Sequence, residues 1–390
     1  MAGFNINQEK LSEEFVSAMN RFTTSLEKPS ILLAGATGCG KSTLCNLVFK
    51  KEICKVGQGS PVTKGINQVS DDKNGVIIYD SEGYELGASF NNTDKAEGTQ
   101  DYHRTIFDFI NSKDLEGTPV DVVWYCISAP AARVTDVDIS VVEDFNRRNK
   151  PCAVILTQVD VSTEEDCKAL KDVIREKMGD DIEIFESSTD ETIELEKGLD
   201  DLHEWTASMI VDSRRDSFIF ASNRDLNAKR DLCRTYVMYG AMAAGAAALN
   251  PIPMSDAMII TPIQITMVGK IAATWDLMSV RDAVKGIILE VIVQNIGKTL
   301  AGNIIKMIPG LGSWVGGAIN ATVAASITYG VGFAFNEVCY KIKNSAMEGK
   351  ATDISSYFNS DFVASIEKYI QEFRKNKDLI EAIKNFKNKG

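Results

Sequence analysis

Histidine is almost missing from this chain: two in 390 residues, His103 and His203. A metal centre built on imidazole is therefore not expected. The eight cysteines form no C-x-x-C pair and no Cys/His group at zinc spacing, so the sequence points to free thiols in a reducing, cytoplasmic setting. Positive charge is not in excess. The formal net charge is −12, which argues against a nucleic-acid binder held by bulk charge. Met1–Lys10 is polar and lacks the apolar core of a leader peptide. No heptad run, internal repeat or low-complexity tract is present. What is present is an ordinary globular composition, 44% hydrophobic and 25% charged, at a length that suggests two or three domains.

The charge is unevenly placed. Residues 236–340 carry five basic and five acidic groups, and residues 341–390 carry ten and seven, so the first 235 residues hold −15. An acidic front, a nearly uncharged middle and a basic tail imply separate jobs. We expect an N-terminal amphipathic helix over 1–29, docked on the domain that follows it. Leu11, Phe15, Met19, Phe22 and Leu26 recur there at helical spacing and Pro29 stops the run. An α/β domain is expected over 30–210, a connecting helix over 211–234, an all-α apolar domain over 235–345, and an amphipathic helical tail over 346–390.

Within 30–210, short apolar runs alternate with helical stretches. Strands are expected at 30–34, 76–80, 121–127, 152–157 and 182–187. Helices are expected near 41–51, 98–112, 136–149, 163–178 and 196–212. Alternating β and α predicts a mostly parallel sheet covered on both faces.

The strongest motif is Gly35-Ala-Thr-Gly-Cys-Gly-Lys41-Ser42, which fits G-x-x-x-x-G-K-[ST] with a strand before it and a helix after it. Glycines let the backbone turn its N–H groups onto phosphates, and the following helix presents its positive end to the same anion. Gly35, Thr37, Gly38, Cys39, Gly40, Lys41, Ser42 and Thr43 are assigned to this phosphate cradle. Lys41 supplies charge at the β- and γ-phosphates and Ser42 ligates Mg²⁺. Asp80-Ser-Glu-Gly83 ends an apolar strand, where an Asp serves the metal and Gly83 offers its N–H to the γ-phosphate. Thr63, in Pro-Val-Thr-Lys-Gly, lies between these motifs and is placed to reach metal and γ-phosphate as a switch residue. Thr157-Gln158-Val-Asp160 ends another strand. A carboxylate there accepts from guanine N1–H and the exocyclic amine, a pattern adenine lacks. Ser187 and Ser188 follow the last strand and are candidates for backbone contact to the base. Lys41, Thr63 and Gly83 are the candidates for catalysis, and Ser42, Thr63 and Asp80 for the metal.

The order GATGCGKS, PVT, DSEG, TQVD, SS resembles the five nucleotide-binding motifs of the Era/TrmE-type branch of small GTPases. The resemblance covers residues 30–210 and implies a GTP/GDP switch that hydrolyses GTP with Mg²⁺. Three positions depart from the pattern. Gln158 stands where Lys is usual. Tyr84 follows Gly83 where Ras-like enzymes have the Gln that positions water. Gly38 stands where potassium-activated members have Asn. Glu82 is read as solvent-facing, His103 as a surface residue, and Cys39, at a helix N-terminus, as a thiol of lowered pKa open to redox control.

Residues 249–275, beginning Asn-Pro-Ile-Pro, resemble a domain of unknown function that follows Era-like GTPase domains in some bacterial proteins and is also seen in predicted inner-membrane proteins. Residues 307–336 carry no charge, and Ser313, Gly317, Ala321 and Ala325 recur every four residues. Such a stripe suits close helix contact in a membrane or in a packed bundle. A helical hairpin turning at Pro309–Gly312 is expected, sheltered in one nucleotide state, with the basic tail available to anionic lipid. Asp256 and Gln264 are read as a cap and a satisfied core amide. The expected function is a GTP-hydrolysing switch. Its helical domain is the output, through a membrane surface, a second copy or a protein effector. The alternatives are a dynamin-like or immunity-related membrane remodeller, a nucleotide-bound scaffold with negligible turnover, and a protein that uses ATP.

Overall fold

In a computed structural model, the chain is described at residues 8–54, 60–63, 65–71, 73–84, 92–190, 196–248, 256–277, 317–350 and 353–386. It divides into two compact units, one of Leu26–Asp225 and one that joins Met1–Ser25 to Leu226–Gly390.

The chain enters through α1 (Gln8–Ser25) and then builds the first unit. This comprises β1 (Ser30–Gly35), α2 (Lys41–Phe49), β2 (Ser60–Thr63), β3 (Ile66–Gln68), β4 (Ile77–Ser81), α3 (Asn92–Leu115) and β5 (Val122–Ser128). It continues with α4 (Asp136–Arg147), β6 (Cys152–Thr157), α5 (Glu164–Met178), β7 (Glu183–Glu186), α6 (Glu196–Met209) and α7 (Asp212–Ala221). The sheet order is β2-β3-β4-β1-β5-β6-β7. The pairs β4–β1, β1–β5, β5–β6 and β6–β7 are parallel, whereas β2–β3 and β3–β4 are antiparallel.

The five expected strands are all present. The sequence reading missed β2 and β3. They are short, polar at Asn67 and Gln68, and paired only at the sheet edge, so they lack the apolar run that marks the buried strands. Period-two alternation sorts the central strands into two cores. Leu32, Ala34, Val123, Tyr125, Val154 and Leu156 face the side that holds Ile106, Phe109 and Phe145. Ile31, Leu33, Trp124, Ala153 and Ile155 face the side that holds Val48, Phe49 and Phe218. Strand β1 lies between β4 and β5, so the strand order reverses beside it, and in such sheets ligands bind beyond the C-terminal strand ends at this point.

Residues 211–234, expected as one connecting helix, form two. Phe218 and Ala221 of α7 are buried in the second core of the α/β unit. The chain then breaks at Ser222–Asp225, where Asn223 N–H donates to Phe49 O and Arg224 Nε to Val48 O.

The second unit is helical: α1, α8 (Leu226–Ala247), α9 (Asp256–Thr274), α10 (Gly317–Met347), α11 (Ser360–Lys375) and α12 (Lys377–Phe386). Helix α1, expected on the domain that follows it in sequence, belongs to the helical unit and packs against α9, where Gly269 lies under Ala18 and Phe15. Phe15, Ala18, Met19 and Phe22 are all buried, and α9 supplies a broad apolar face to receive them. Three buried side chains inside this unit, Trp275, Asn336 and Gln264, find partners there. Trp275 Nε1 donates to Asn336 Oδ1 at 2.8 Å, and Asn336 Nδ2 donates to Arg230 O at 2.9 Å. Gln264 Nε2 donates to Thr328 Oγ1 at 3.2 Å, so this amide is satisfied within the core. The Asp256 side chain, the turn at 309–312 and Ser313 lie outside the described residues. Among the described residues no helix is long and apolar enough to cross a membrane.

Small residues set the helix contacts. A Cβ on Gly330 of α10 would lie 2.8 Å from the Ile366 carbonyl oxygen of α11, a backbone atom that cannot swing aside. Gly330→Ala gains about 1 kcal/mol of helix propensity and loses about 1–3 kcal/mol to overpacking. A net loss near 1 kcal/mol is expected, read as a lower denaturant midpoint for the helical unit.

Candidate functional site

The turn from β1 into α2 is built on glycine. Gly35 has φ +129° and passes so close to β5 that a Cβ would sit 2.2 Å from Cys126 O. Gly38 and Gly40 also have positive φ, at +74° and +88°. Gly40 is the N-cap of α2 and brings no side chain to its first-turn amides, which leaves those donors for an anion. Lys41 is 7% exposed, and its Nζ donates to Gly35 O at 3.3 Å and Ala36 O at 3.0 Å. The ammonium is thus held over the loop it serves. Thr37, Gly38 and Thr43 are exposed at the rim, and Cys39 is buried beneath it.

Strand β4 lies beside β1 and delivers Asp80 to the same end of the sheet. Ser42 Oγ donates to Asp80 Oδ2 at 3.1 Å. Asp80 Oδ1 is buried and has no hydrogen-bond partner. Burial pushes the Asp80 carboxyl above the ordinary range, against the pull of the Lys41 charge and the Ser42 hydroxyl. An orphaned buried carboxylate oxygen beside a hydroxyl is a hard donor set that fits Mg²⁺. Among the described residues no group of three or more His, Cys, Asp or Glu side chains is placed to hold a metal. Mg²⁺ needs none, since it commonly keeps waters and takes one or two carboxylates with substrate phosphates.

Gly83 rests on the phosphate loop. Its φ is +78°, and a Cβ would lie 2.6 Å from Thr37 N and 2.8 Å from Ala36 C. Thr37 N–H donates to Tyr84 O at 2.9 Å, and Thr37 Oγ1 donates to Glu82 O at 3.1 Å. The Glu82 side chain is exposed. Thr63 ends β2 with its Cα opposite Ile66, and its side chain lies outside the described residues.

The third group comes from the end of β6. Asp160 Oδ1 is also buried and without a partner. Thr157 is a tie rather than a free donor: its hydroxyl donates to Cys39 O at 2.6 Å, joining this motif to the phosphate loop. Gln158 is exposed at φ +56°, and its Oε1 accepts from Ser128 Oγ at 2.8 Å. Ser187 departs from expectation, because its N–H donates to Leu156 O at 2.8 Å as the sheet continues, and is therefore not open to a base. Ser188 Oγ accepts from Asp190 N–H.

Two further expectations are refined. Cys39 is 2% exposed, and its thiol is held below the ordinary range, first by a hydrogen bond with Cys126 and then by Lys41, against burial. The helix terminus is not the leading cause. His103 is half-buried, with Nε2 2.7 Å from Asp144 Oδ2 on α4. The sequence reading missed Tyr102 and Asp138. Tyr102 accepts the Gly35 N–H at 2.8 Å. Asp138 belongs to a capping box with Thr135, a T-x-x-D spacing that was legible as a helix start.

The family described as 50S ribosome-binding GTPase (MMR_HSR1) matches residues 30–178, and the domain of unknown function DUF697 matches residues 221–359. The chain pairs a P-loop GTPase domain with a DUF697 domain. No curated protein matches it. Among solved structures, a probable GTP-binding protein engB is 15% identical, covering 46% of this chain and 98% of its own, at TM-score 0.33. Toc33 from Arabidopsis thaliana, solved with Mg²⁺ and GMPPNP, is 20% identical, covering 48% and 81%, at 0.29. An Era variant from Aquifex aeolicus bound to GDP.AlF4- is 16% identical, covering 56% and 68%, at 0.28.

Asp80 sets a pH test. A carboxyl whose folded pKa lies above its unfolded value binds its proton more tightly when folded. Ionised Asp80 therefore lowers stability at neutral pH, and stability returns as pH falls through the raised folded pKa. Asp80→Asn keeps an acceptor for Ser42 Oγ. It should raise the melting temperature of the nucleotide-free, Mg²⁺-free GTPase domain at pH 7, with the gain shrinking toward pH 4. An equal gain at both pH values assigns the effect elsewhere.

Proposed function

We propose that this protein is a GTP-hydrolysing switch whose helical unit carries the output. The observation that carries the guanine assignment is the buried, unpaired Asp160 Oδ1, tied by the neighbouring Thr157 to the phosphate loop. Leaving an acceptor buried without a donor costs about 1–3 kcal/mol, which a base offering N1–H and an amine repays and adenine does not.

The chain's own groups account for the chemistry. The amides of the loop from Gly38 into α2 receive the phosphates, and Lys41, already poised over the loop, adds charge as it builds on the β–γ bridge. Ser42 and Asp80, with Thr63 as the remaining candidate, would hold Mg²⁺, which neutralises charge on the β- and γ-oxygens. Gly83 N–H is the candidate sensor of the third phosphate. Water attacks in line, and no side chain forms a covalent intermediate.

For the output we favour reversible association of the helical unit with a lipid surface or a second copy. The support is an apolar composition packed without any described helix that spans a bilayer, beside a basic tail.

Lys41→Ala should abolish binding of a fluorescent GTP analogue. Asp160→Asn should cut the GTP-over-ATP preference by about 10–100-fold, the worth of a hydrogen bond to a charged acceptor. Retained tight binding by the first variant, or an unchanged preference in the second, overturns the nucleotide assignment. For the output, flotation with anionic liposomes is compared with sedimentation velocity, each with GDP and with GMPPNP. Nucleotide-dependent flotation supports the lipid surface, and nucleotide-dependent dimer supports the second copy. No change in either removes the helical unit as output.

A further inference from the structure

The residue that follows Gly83 is not idle. Tyr84 donates its hydroxyl to Asp138 Oδ1, and its ring lies 5.2 Å from that of Tyr102. Asp138 is on the first turn of α4 and only 3% exposed. Its carboxylate also accepts from Tyr125 Oη at 2.8 Å, and from Thr135 N and Thr135 Oγ1 at 2.7 Å each. Three donors besides Tyr84 therefore hold Asp138 rigidly, which makes it an anchor. Burial and the neighbouring Asp138 both push the Tyr84 hydroxyl far above its ordinary range, so it stays a donor.

The other end of the same residue reaches the phosphate loop. Tyr84 O accepts from Thr37 N–H, and Gly83 between them leaves no room for another atom against Thr37 N. A third phosphoryl group cannot enter between Gly83 and the Gly35–Thr37 backbone without lifting this segment. Lifting it must either break the Tyr84–Asp138 bond or drag α4.

We infer that Tyr84 is a latch and Asp138 its positioning residue: together they hold the Glu82–Tyr84 segment on the phosphate loop and set the balance between nucleoside diphosphate and triphosphate. Tyr84, at the position where a water-orienting side chain would stand, spends its polar group on this anchor instead. The inference rests on the nucleotide reading above and concerns the choice between two and three phosphates, not the base.

The test is the ratio of affinities for mant-GDP and mant-GMPPNP in the full-length protein with Mg²⁺. Tyr84→Phe removes the hydroxyl and leaves Asp138 its other donors. It should move the ratio toward the triphosphate by about tenfold, the scale of one hydrogen bond to a charged acceptor. Asp138→Asn should move it in the same direction. Tyr125→Phe removes a donor from the same carboxylate without touching the 82–84 segment. It should lower the melting temperature and leave the ratio unchanged. A ratio unmoved by Tyr84→Phe, or moved equally by Tyr125→Phe, overturns the latch. Wild-type protein that binds neither nucleotide overturns the reading beneath it.

Discussion

One added carbon on Gly35 would lie 2.2 Å from the Cys126 carbonyl, and one on Gly83 would lie 2.6 Å from the Thr37 amide. Backbone packed on backbone too closely to admit a Cβ is the constraint on which the nucleotide end depends. It lets three chain segments meet where β1, β4 and β5 end, and it leaves amide groups, rather than side chains, facing the crevice. Hydrogen bonds then fasten the segments: the Tyr102 hydroxyl accepts the Gly35 N–H, the Thr157 hydroxyl donates to the Cys39 carbonyl, and Thr37 donates its hydroxyl to Glu82 O and its N–H to Tyr84 O. A loop fixed in this way pays little entropy when an anion arrives.

The site carries its unmet demand in two carboxylates. Asp80 and Asp160 each keep one buried oxygen without a partner, whereas the Asn336 and Gln264 amides in the helical core are matched. Arg230 Nε and Arg234 Nε of the helical unit are also buried without a hydrogen-bond partner, but their guanidiniums face Glu337 at 3.7 and 3.6 Å. The two open carboxylate oxygens stand instead at the nucleotide end, where a ligand's donors would complete them. Asp138 is the counterexample within the same domain: it is more deeply buried yet fully met, and it holds structure instead of ligand.

The helical unit shows how an apolar sequence divides between solvents. Its long uncharged stretches suit a bilayer or a packed bundle, and composition does not choose. In the described part, glycines at the helix contacts bring neighbouring helices into close touch. Gly269 does so for α1, Gly332 for α8 and Gly330 for α11. The first helix of the chain completes this bundle across more than 200 residues of intervening sequence, a partnership that no local pattern encodes.

By itself the sequence determined the phosphate loop, five of the seven strands and the change of composition after residue 234. Each of these is written in nearest-neighbour chemistry: glycines at fixed offsets, period-two apolar runs, loss of charge. Tertiary structure alone decided which polar groups were already spent. It gave the Ser187 amide to Leu156, the Thr157 hydroxyl to Cys39 and the Tyr84 hydroxyl to Asp138, and it left Asp80 and Asp160 open. It also placed β2 and β3 on the sheet edge and α1 on α9. The reason is physical: hydrogen-bond partners are distributed by the approach of segments far apart in the chain, and a sequence lists donors and acceptors without saying which will meet.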